Sequence, residues 1–408
     1  MKKRIMVFCD FYLPSYKSGG GMWTVVNLVD RFCHLYDFFI VSRNYDSKGD
    51  KKSYTTVRTD EWNQTGNAQV FYFSPKNLNR SLFAKLVNEI KPDVFFLNSA
   101  FATPVIKFLM ARRNQMFADA PLILAPCGEL SAEALALKHL KKKIFLHYAK
   151  SVNLYRNIIW KASGEAEKVE INEVIGRDAE IWIAPDLTPK TILPDYTPDW
   201  KPYKEKCSVK FVFLSRIVRK KNIHFFLERL REIKSGKIEF QIIGPPEDAD
   251  YLEECQTIVK TLPKNTSVSF TGAFPYREAL EKIAESHFFV LPTLNENFGY
   301  VCIEALAAGS PLLISDRTVW GDVQKHNAGW RIPLEDVSGW NKRVEFCLNM
   351  NDSEYKKMSQ SAREYSTEWL AKPEFTEDTT KVLERAFKNI TNKNRNNINE
   401  KKAKNVAG

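Results

Sequence analysis

Glu296 and Glu304 stand eight positions apart in the segment Leu291-Pro-Thr-Leu-Asn-Glu296-Asn297-Phe298-Gly299-Tyr300-Val301-Cys-Ile-Glu304-Ala-Leu-Ala-Ala-Gly309-Ser-Pro311. The pattern predicts a buried strand ending near Leu291, a loop holding Glu296 and Gly299, and a short helix from about Tyr300 that stops at Gly309. One carboxylate lies in the loop and the other about a turn into the helix, so both can address one ligand from different heights. Carboxylates accept hydrogen bonds from vicinal hydroxyls, which points to a sugar or a ribose. The helix N-terminus adds free backbone N–H groups, Gly299 permits close approach to the backbone, and open α/β sheets bind ligands at the carboxyl ends of their strands. The plainer reading makes Glu296 a partner of the helix dipole and Glu304 a solvated helix residue, and for an isolated pair that reading is the ordinary one.

A second segment, Phe211-Val-Phe-Leu-Ser-Arg216-Ile-Val-Arg-Lys-Lys221-Asn-Ile, reads as a buried strand running into a loop of four cations before a helix. Arg216 and Lys221 flank that loop and suit a diphosphate, one as a planar fork and the other as a point charge; a solvated basic turn fits as well. A third, Gly19-Gly20-Gly21, precedes the first long helix and can expose N–H groups to an anion, or be a flexible loop. It lacks the G-x-G-x-x-G spacing of a dinucleotide fingerprint.

The elements that must position these residues alternate from end to end, short β-rich runs with longer helical patterns, as in parallel sheets covered on both faces. In the first half strands are expected at 4–9, 37–42, 69–73, 93–98, 121–125 and 180–184, with a helix from about Met22 to Phe32 on the spacing of Val25, Leu28, Val29 and Phe32. Pro185, Pro189, Pro194, Pro198 and Pro202 then interrupt the pattern. Strands resume at 209–214, 238–243, 268–270, 288–291 and 311–314. The expected organisation is an N-terminal domain over 1–190, a Pro-rich linker over 191–205, a second domain over 206–365, helices over 366–390 that return to the first domain, and a polar disordered tail over 391–408.

Composition narrows the function classes. Hydrophobic residues at 44% and charged residues at 27% are those of a globular chain, which excludes extensive disorder. Cysteines at 9, 33, 127, 207, 255, 302 and 347 form no C-x-x-C pair, so neither zinc nor a disulfide framework is expected and the thiols read as reduced and cytosolic. The apolar stretch at the N-terminus ends at Asp10, too soon for a secretory signal, and no run approaches the roughly 20 apolar residues of a membrane span. A net charge of +11 favours phosphorylated ligands, nucleic acid or an anionic leaflet. The cations are dispersed without a nucleic-acid module, so no nucleic-acid partner is expected.

In order and separation these segments resemble the retaining glycosyltransferase family 4, of GT-B fold, over nearly the whole chain. Glu296 and Glu304 match the family's E-x7-E motif, Arg216 and Lys221 its Arg-x4-Lys motif, and Gly19 to Gly21 its N-terminal glycine-rich loop. The resemblance implies two doubly wound Rossmann-like domains facing a central cleft, acceptor in the first and donor in the second. It implies Arg216 and Lys221 on the donor diphosphate, Glu296 on the transferred sugar and Glu304 on the nucleotide ribose. The amides of Phe298 to Val301, Gly299 and Tyr300 among them, would meet the sugar and phosphate, with Asn297 as a further donor contact; Ile243, Gly244, Ala273 and Phe274 would border the base, and Gly20 and Gly21 the donor from the first domain.

The chain departs from the family in one loop. Many relatives carry a histidine that touches the donor sugar where this chain reads Ala125-Pro126-Cys127-Gly128-Glu129-Leu130. Cys127 and Gly128 are candidates for lining an acceptor or sugar site, and Glu129 either binds acceptor or faces solvent. Further on, Leu137, Leu140, Ile144 and Phe145 recur at helical spacing among Lys138, Lys141, Lys142 and Lys143, which suits either a helix on an anionic membrane or a surface helix packed on its own sheet. Asp248 and Asp250 sit where a helix begins and are read as dipole partners rather than metal ligands.

The reading these lines converge on is a retaining transferase. It would move a sugar from a UDP- or GDP-sugar to an acceptor hydroxyl in bacterial O-antigen, capsule or exopolysaccharide assembly. Neither metal nor cofactor is expected, a lipid-linked acceptor and peripheral membrane contact are envisaged, and the location is the cytoplasm or the inner face of its membrane. A sugar-nucleotide epimerase of the same fold is the enzymatic rival, and a basic nucleic-acid-binding protein the non-enzymatic one.

Overall fold

The computed structural model describes residues 2–46, 52–117, 119–136, 139–193 and 195–388. Two compact units divide the chain, one formed by Met1–Thr188 with the segment beginning at Pro373, the other by Pro189–Lys372. The tail expected over 391–408 lies outside the described residues.

In the first unit, strands β1 (Lys3–Phe8), β2 (Tyr36–Arg43), β3 (Trp62–Thr65), β4 (Ala68–Phe73), β5 (Val94–Asn98), β6 (Leu122–Ala125), β7 (Ile158–Ala162) and β8 (Glu180–Ile183) form one sheet in the order β3-β4-β2-β1-β5-β6-β7-β8. Only the β3–β4 pair is antiparallel among the described strand pairs of this sheet. The chain runs outward from β1 and returns at β5, which makes the edge between them a topological switch point, the place where such sheets bind ligands. Ile5 to Phe8 are wholly buried, and Phe8 packs against Phe83 at 5.6 Å and Phe108 at 4.2 Å between ring centroids. Burial of each such side chain stabilises the unit by about 2–3 kcal/mol, which is why β1 is a continuous apolar run.

A last helix, 374–388, packs on this unit: Phe387 lies 5.3 Å from the Tyr36 ring, and Arg385 Nε is 2.6 Å from Glu180 Oε1. The preceding helix, Asp352–Leu370, stays with the second unit, so the crossover comes at Pro373.

The second unit carries β9 (Ser208–Leu214), β10 (Lys237–Ile243), β11 (Thr266–Gly272), β12 (Phe288–Leu291), β13 (Leu312–Ser315) and β14 (Gly329–Ile332), all parallel, in the order β11-β10-β9-β12-β13-β14. Its switch point lies between β9 and β12. The Pro-rich stretch before β9 is bound to this unit through two lysines. Lys201 Nζ donates to Ser310 Oγ at 2.5 Å and to the Ser286 carbonyl at 2.8 Å, just beyond the helix Tyr276–Ala284. Lys204 Nζ donates to the carbonyls of Leu348 at 3.1 Å and Met350 at 2.9 Å, at the end of the helix Val337–Asn349. Carbonyls at helix C-termini lack intrahelical donors and present negative partial charge, so lysines there satisfy both needs.

Candidate functional site

The switch point of the second unit places the loops after β9 and β12 side by side. The Lys220 carbonyl accepts from Leu294 N at 2.9 Å and from Thr293 Oγ1 at 3.2 Å. From the other side Ser315 Oγ donates to the Thr293 carbonyl at 2.6 Å and Glu296 N donates to the Arg317 carbonyl at 3.0 Å. Held between its two neighbours, the β12 loop presents the Glu296 carboxylate to the Lys221 ammonium, and the two form an ion pair with side chains only 16% and 9% exposed. Arg216 has a different partner. Its side chain is 45% exposed, and Nη1 meets Glu247 Oε2 at 3.0 Å.

Gly299 precedes the helix Tyr300–Ala307 with φ +77°, a left-handed conformation that side-chain-bearing residues avoid. A Cβ there would also lie 3.0 Å from Glu296 Cγ, so the glycine makes room for the carboxylate side chain. Phe298 is fixed beside it: Trp320 Nε1 donates to its carbonyl at 2.9 Å, and the rings of Tyr300, Trp320 and Trp369 stand 4.7, 5.8 and 5.5 Å from its own. Asn297 and Val301 are half-buried and Tyr300 is buried. Glu304, on the same helix, is 7% exposed, and burial pushes its carboxyl up to about 7, against the opposing hydrogen bond from Tyr276.

The ends of β9, β10 and β11 meet at Gly244. Its N–H donates to the Gly272 carbonyl at 2.8 Å, and with φ +145° a Cβ would overlap the Ser215 carbonyl oxygen, so glycine is required. Ile243 is wholly buried in the core, while Ala273 and Phe274 are half-buried between β11 and the helix that Tyr276 begins. The predicted diphosphate, sugar, ribose and base residues of this unit therefore lie along the carboxyl ends of four adjacent strands.

In the first unit, Asn98 at the end of β5 joins two of the predicted segments. Its Nδ2 donates to the Gly21 carbonyl at 2.7 Å, at the start of the helix Gly20–Phe32, and its Oδ1 lies 3.4 Å from Cys127 Sγ. Cys127 and Gly128 have φ of +56° and +72°. Gly128 N donates to Glu167 Oε1 at 2.5 Å, and Ser163 N to Glu167 Oε2 at 2.7 Å. Glu129 accepts from Ser99 Oγ at 2.7 Å and Phe101 N at 2.8 Å, bracing the loop after β5. Nearby, Lys161 and Asp186 form a buried pair at 3.0 Å. Burial, with Asp186 and Glu167 adding to it, holds the Cys127 thiol well above its usual range, so it stays protonated and is a poor nucleophile. Asn98, Glu167 and Asp186 escape sequence reasoning because each is a lone polar residue outside any motif; only their place at or beyond strand ends marks them.

The basic segment forms the helix His139–Ser151; Leu137 and Lys138 lie outside the described residues. The expected stripe divides in two. Phe145 turns inward to the Phe101 ring at 5.9 Å, whereas Leu140 and Ile144 point to solvent with Tyr148, exposed by 69, 61 and 43%. Lys141, Lys143, His147 and Lys150 are exposed alongside. Among the described residues no helix is long and apolar enough to cross a membrane, and no group of three His, Cys, Asp or Glu side chains could hold a metal. Asp248 caps the helix Ala249–Val259, accepting from Tyr251 N at 3.0 Å.

Residues 199–365, all in the second unit, match the family model described as glycosyl transferases group 1. The chain is 27% identical over 133 residues to O-antigen chain mannosyltransferase RfbU of Salmonella typhimurium, covering 33% of this chain and 36% of that protein. It is 27% identical over 162 residues to an uncharacterized glycosyltransferase of Methanocaldococcus jannaschii, covering 36% and 40%. The matches thus span well under half the length of these curated relatives. Among solved structures, sucrose-phosphate synthase from Thermosynechococcus elongatus superposes with a TM-score of 0.65 at 14% identity, over 98% of this chain and 100% of that one. Anabaena HepE, in complex with UDP and glucose, gives 0.63 at 14% over 94% and 99%. WaaG, a glycosyltransferase involved in lipopolysaccharide biosynthesis, gives 0.63 at 13% over 93% and 98%. These likenesses show the fold, which is GT-B.

Proposed function

We propose that this chain is a retaining glycosyltransferase of family 4 that moves a sugar from a nucleotide diphosphate sugar to an acceptor hydroxyl. The observation that carries this reading is the Lys221–Glu296 pair at the switch point of the second unit, beside the helix N-terminus that Gly299 opens. Departure of the nucleotide diphosphate develops negative charge on the leaving oxygens. Lys221, Arg216 and the amides at the start of the helix Tyr300–Ala307 compensate it, preorganised donors being strongest where water is excluded. Glu296 orients the transferred sugar, Glu304 accepts from the ribose hydroxyls, and Gly244, Ala273 and Phe274 border the base. The leaving phosphate takes the acceptor proton, so no side chain is assigned as general base. No resident metal or cofactor enters these steps, and turnover should persist in excess EDTA.

The acceptor belongs to the first unit, with Cys127, Gly128 and Glu129 as its candidate contacts. We assign a lipid-linked oligosaccharide acceptor in bacterial surface-polysaccharide assembly, with the protein at the inner face of the cytoplasmic membrane. Supporting this are the exposed row Leu140, Ile144 and Tyr148 with lysines beside it, the pattern of a helix that lies on an anionic leaflet, and the likeness to an O-antigen mannosyltransferase. Retention on anionic but not neutral liposomes, lost when Leu140 and Ile144 become Ser, is the expected result. Indifference to both would remove the membrane assignment.

A UDP- or GDP-sugar is the donor. The deciding experiment is thermal unfolding with UDP, GDP, ADP and their sugar conjugates, for the natural chain and for Arg216→Ala and Glu304→Ala. A ligand that binds the folded state raises its stability. A shift with one nucleotide, diminished in both variants, is expected; no shift with any nucleotide would end the donor-site reading.

A further inference from the structure

We propose that Tyr276 is a positioning residue for nucleotide binding, its hydroxyl holding the Glu304 carboxylate in the orientation that receives the vicinal hydroxyls of a ribose. The inference rests on the donor-site reading above and adds to it a residue that none of the motifs contains.

The two side chains come from different helices. Tyr276 opens the helix Tyr276–Ala284, directly after the Gly272-Ala273-Phe274-Pro275 stretch that leaves β11, while Glu304 sits in the second turn of Tyr300–Ala307. The phenol donates to the carboxylate, and that hydrogen bond is the influence that opposes burial at Glu304. Among the described residues no cation forms an ion pair with Glu304. Lys221 is engaged by Glu296, and Arg363, on the long helix Asp352–Leu370 packed against Tyr300–Ala307, donates to the Ala307 carbonyl and covers the Tyr196 ring at 4.1 Å. The buried Cys302 thiol on the same helix also senses Glu304.

A phenol is a single donor and a carboxylate offers about four acceptor sites, so Tyr276 fixes one oxygen and leaves acceptor capacity for a diol. The same tyrosine ties the strand end assigned to the base to the carboxylate assigned to the ribose, so both halves of a nucleoside depend on one geometry.

Calorimetric titration of the full chain with UDP, GDP and their 2′,3′-dideoxy counterparts, between about pH 5.5 and 8.5, tests this. The ratio of ribo to dideoxy affinity isolates the diol and cancels the titration of the phosphates. In the natural chain the ratio should rise with pH. Tyr276→Phe should lower it about tenfold at neutral pH, the scale of one hydrogen bond to a charged group, and move its midpoint to higher pH while dideoxy affinity holds. In a Glu304→Gln background the same change should have no further effect on the ratio, and this comparison holds even where packing is disturbed. Equal weakening of both ligand types by Tyr276→Phe, or an unchanged ratio and midpoint, would overturn the proposal and leave the donor site standing. A natural chain that binds neither UDP nor GDP would overturn both.

Discussion

Lys221 and Glu296, 75 positions apart in the chain, meet in an ion pair that is largely withdrawn from solvent. Each side chain is there because its loop follows one of two strands that are neighbours in the sheet and distant in sequence. Breaking such a pair from one side leaves a desolvated charge without compensation, and it is this penalty rather than the attraction itself that dominates. Lys221→Met and Glu296→Gln should therefore each lower stability by about 2–4 kcal/mol in urea unfolding, while the double variant loses clearly less than their sum. Additive losses would show that the two side chains do not interact in solution.

What could be read beforehand divides along physical lines. The expected strands at 4–9, 37–42, 69–73 and 288–291 match β1, β2, β4 and β12 within about a residue at each end, because a strand buried on both faces is a continuous apolar run. Three strands escaped. Trp62–Thr65 is a short, largely polar edge strand, Gly329–Ile332 holds a glycine and an arginine in four residues, and Ile158–Ala162 is interrupted by Lys161, whose ammonium is buried only because Asp186 meets it. The site divides likewise. Glu296, Gly299 and Glu304 share one loop and helix and could be read together, whereas the choice of Lys221 over Arg216 as partner of Glu296 depends on how two distant loops settle. Tyr276 had no signal at all, since one tyrosine at a helix start is unremarkable until the opposing carboxylate is in place.

Glu304 predicts a pH-dependent stability. Its carboxyl titrates near 7 in the folded chain against an ordinary value of 4.5, so between those values the folded state keeps a proton that the unfolded state releases. Stability from this group is therefore full below 4.5, falls as pH rises towards 7, and is constant above that. Glu304→Gln keeps the neutral shape without the titration. The variant should match the natural chain at about pH 4 and exceed it at about pH 8, by at most about 3 kcal/mol, while binding nucleotide more weakly. Chemical unfolding at the two pH values checks the sign; equal differences at both would place Glu304 in contact with solvent.

Gly299→Ala tests the junction between loop and helix. The new Cβ would sit at φ +77° and 3.0 Å from Glu296 Cγ, so strain and displacement fall on the same carboxylate. A stability loss of about 1–2 kcal/mol is expected from the left-handed backbone alone. Turnover should fall further than stability accounts for, because Glu296 must move, and a larger side chain such as Val should be worse. Activity that simply follows the folded fraction would show that Glu296 adapts.

His287 should make the second unit sensitive to acid. Its Nδ1 accepts from Lys210 N at 2.9 Å, so the proton lies on Nε2, which faces the Tyr203 carbonyl at 3.3 Å, and the ring is neutral. Burial, with the nearby Lys204 cation adding to it, lowers its titration from 6.5 to about 3. Below 6.5 the unfolded chain takes up a proton that the folded chain refuses, so stability falls as pH falls from 6.5 towards 3. The loss is about 1.4 kcal/mol for each pH unit at most. His287→Asn keeps an acceptor and a donor on a smaller side chain; it should be less stable at neutral pH because it underfills the site, yet lose less on acidification. The stability gap between the two proteins, read by urea unfolding at pH 7.5, 6 and 5, should narrow steadily. A constant gap would mean that another group sets the acid limit.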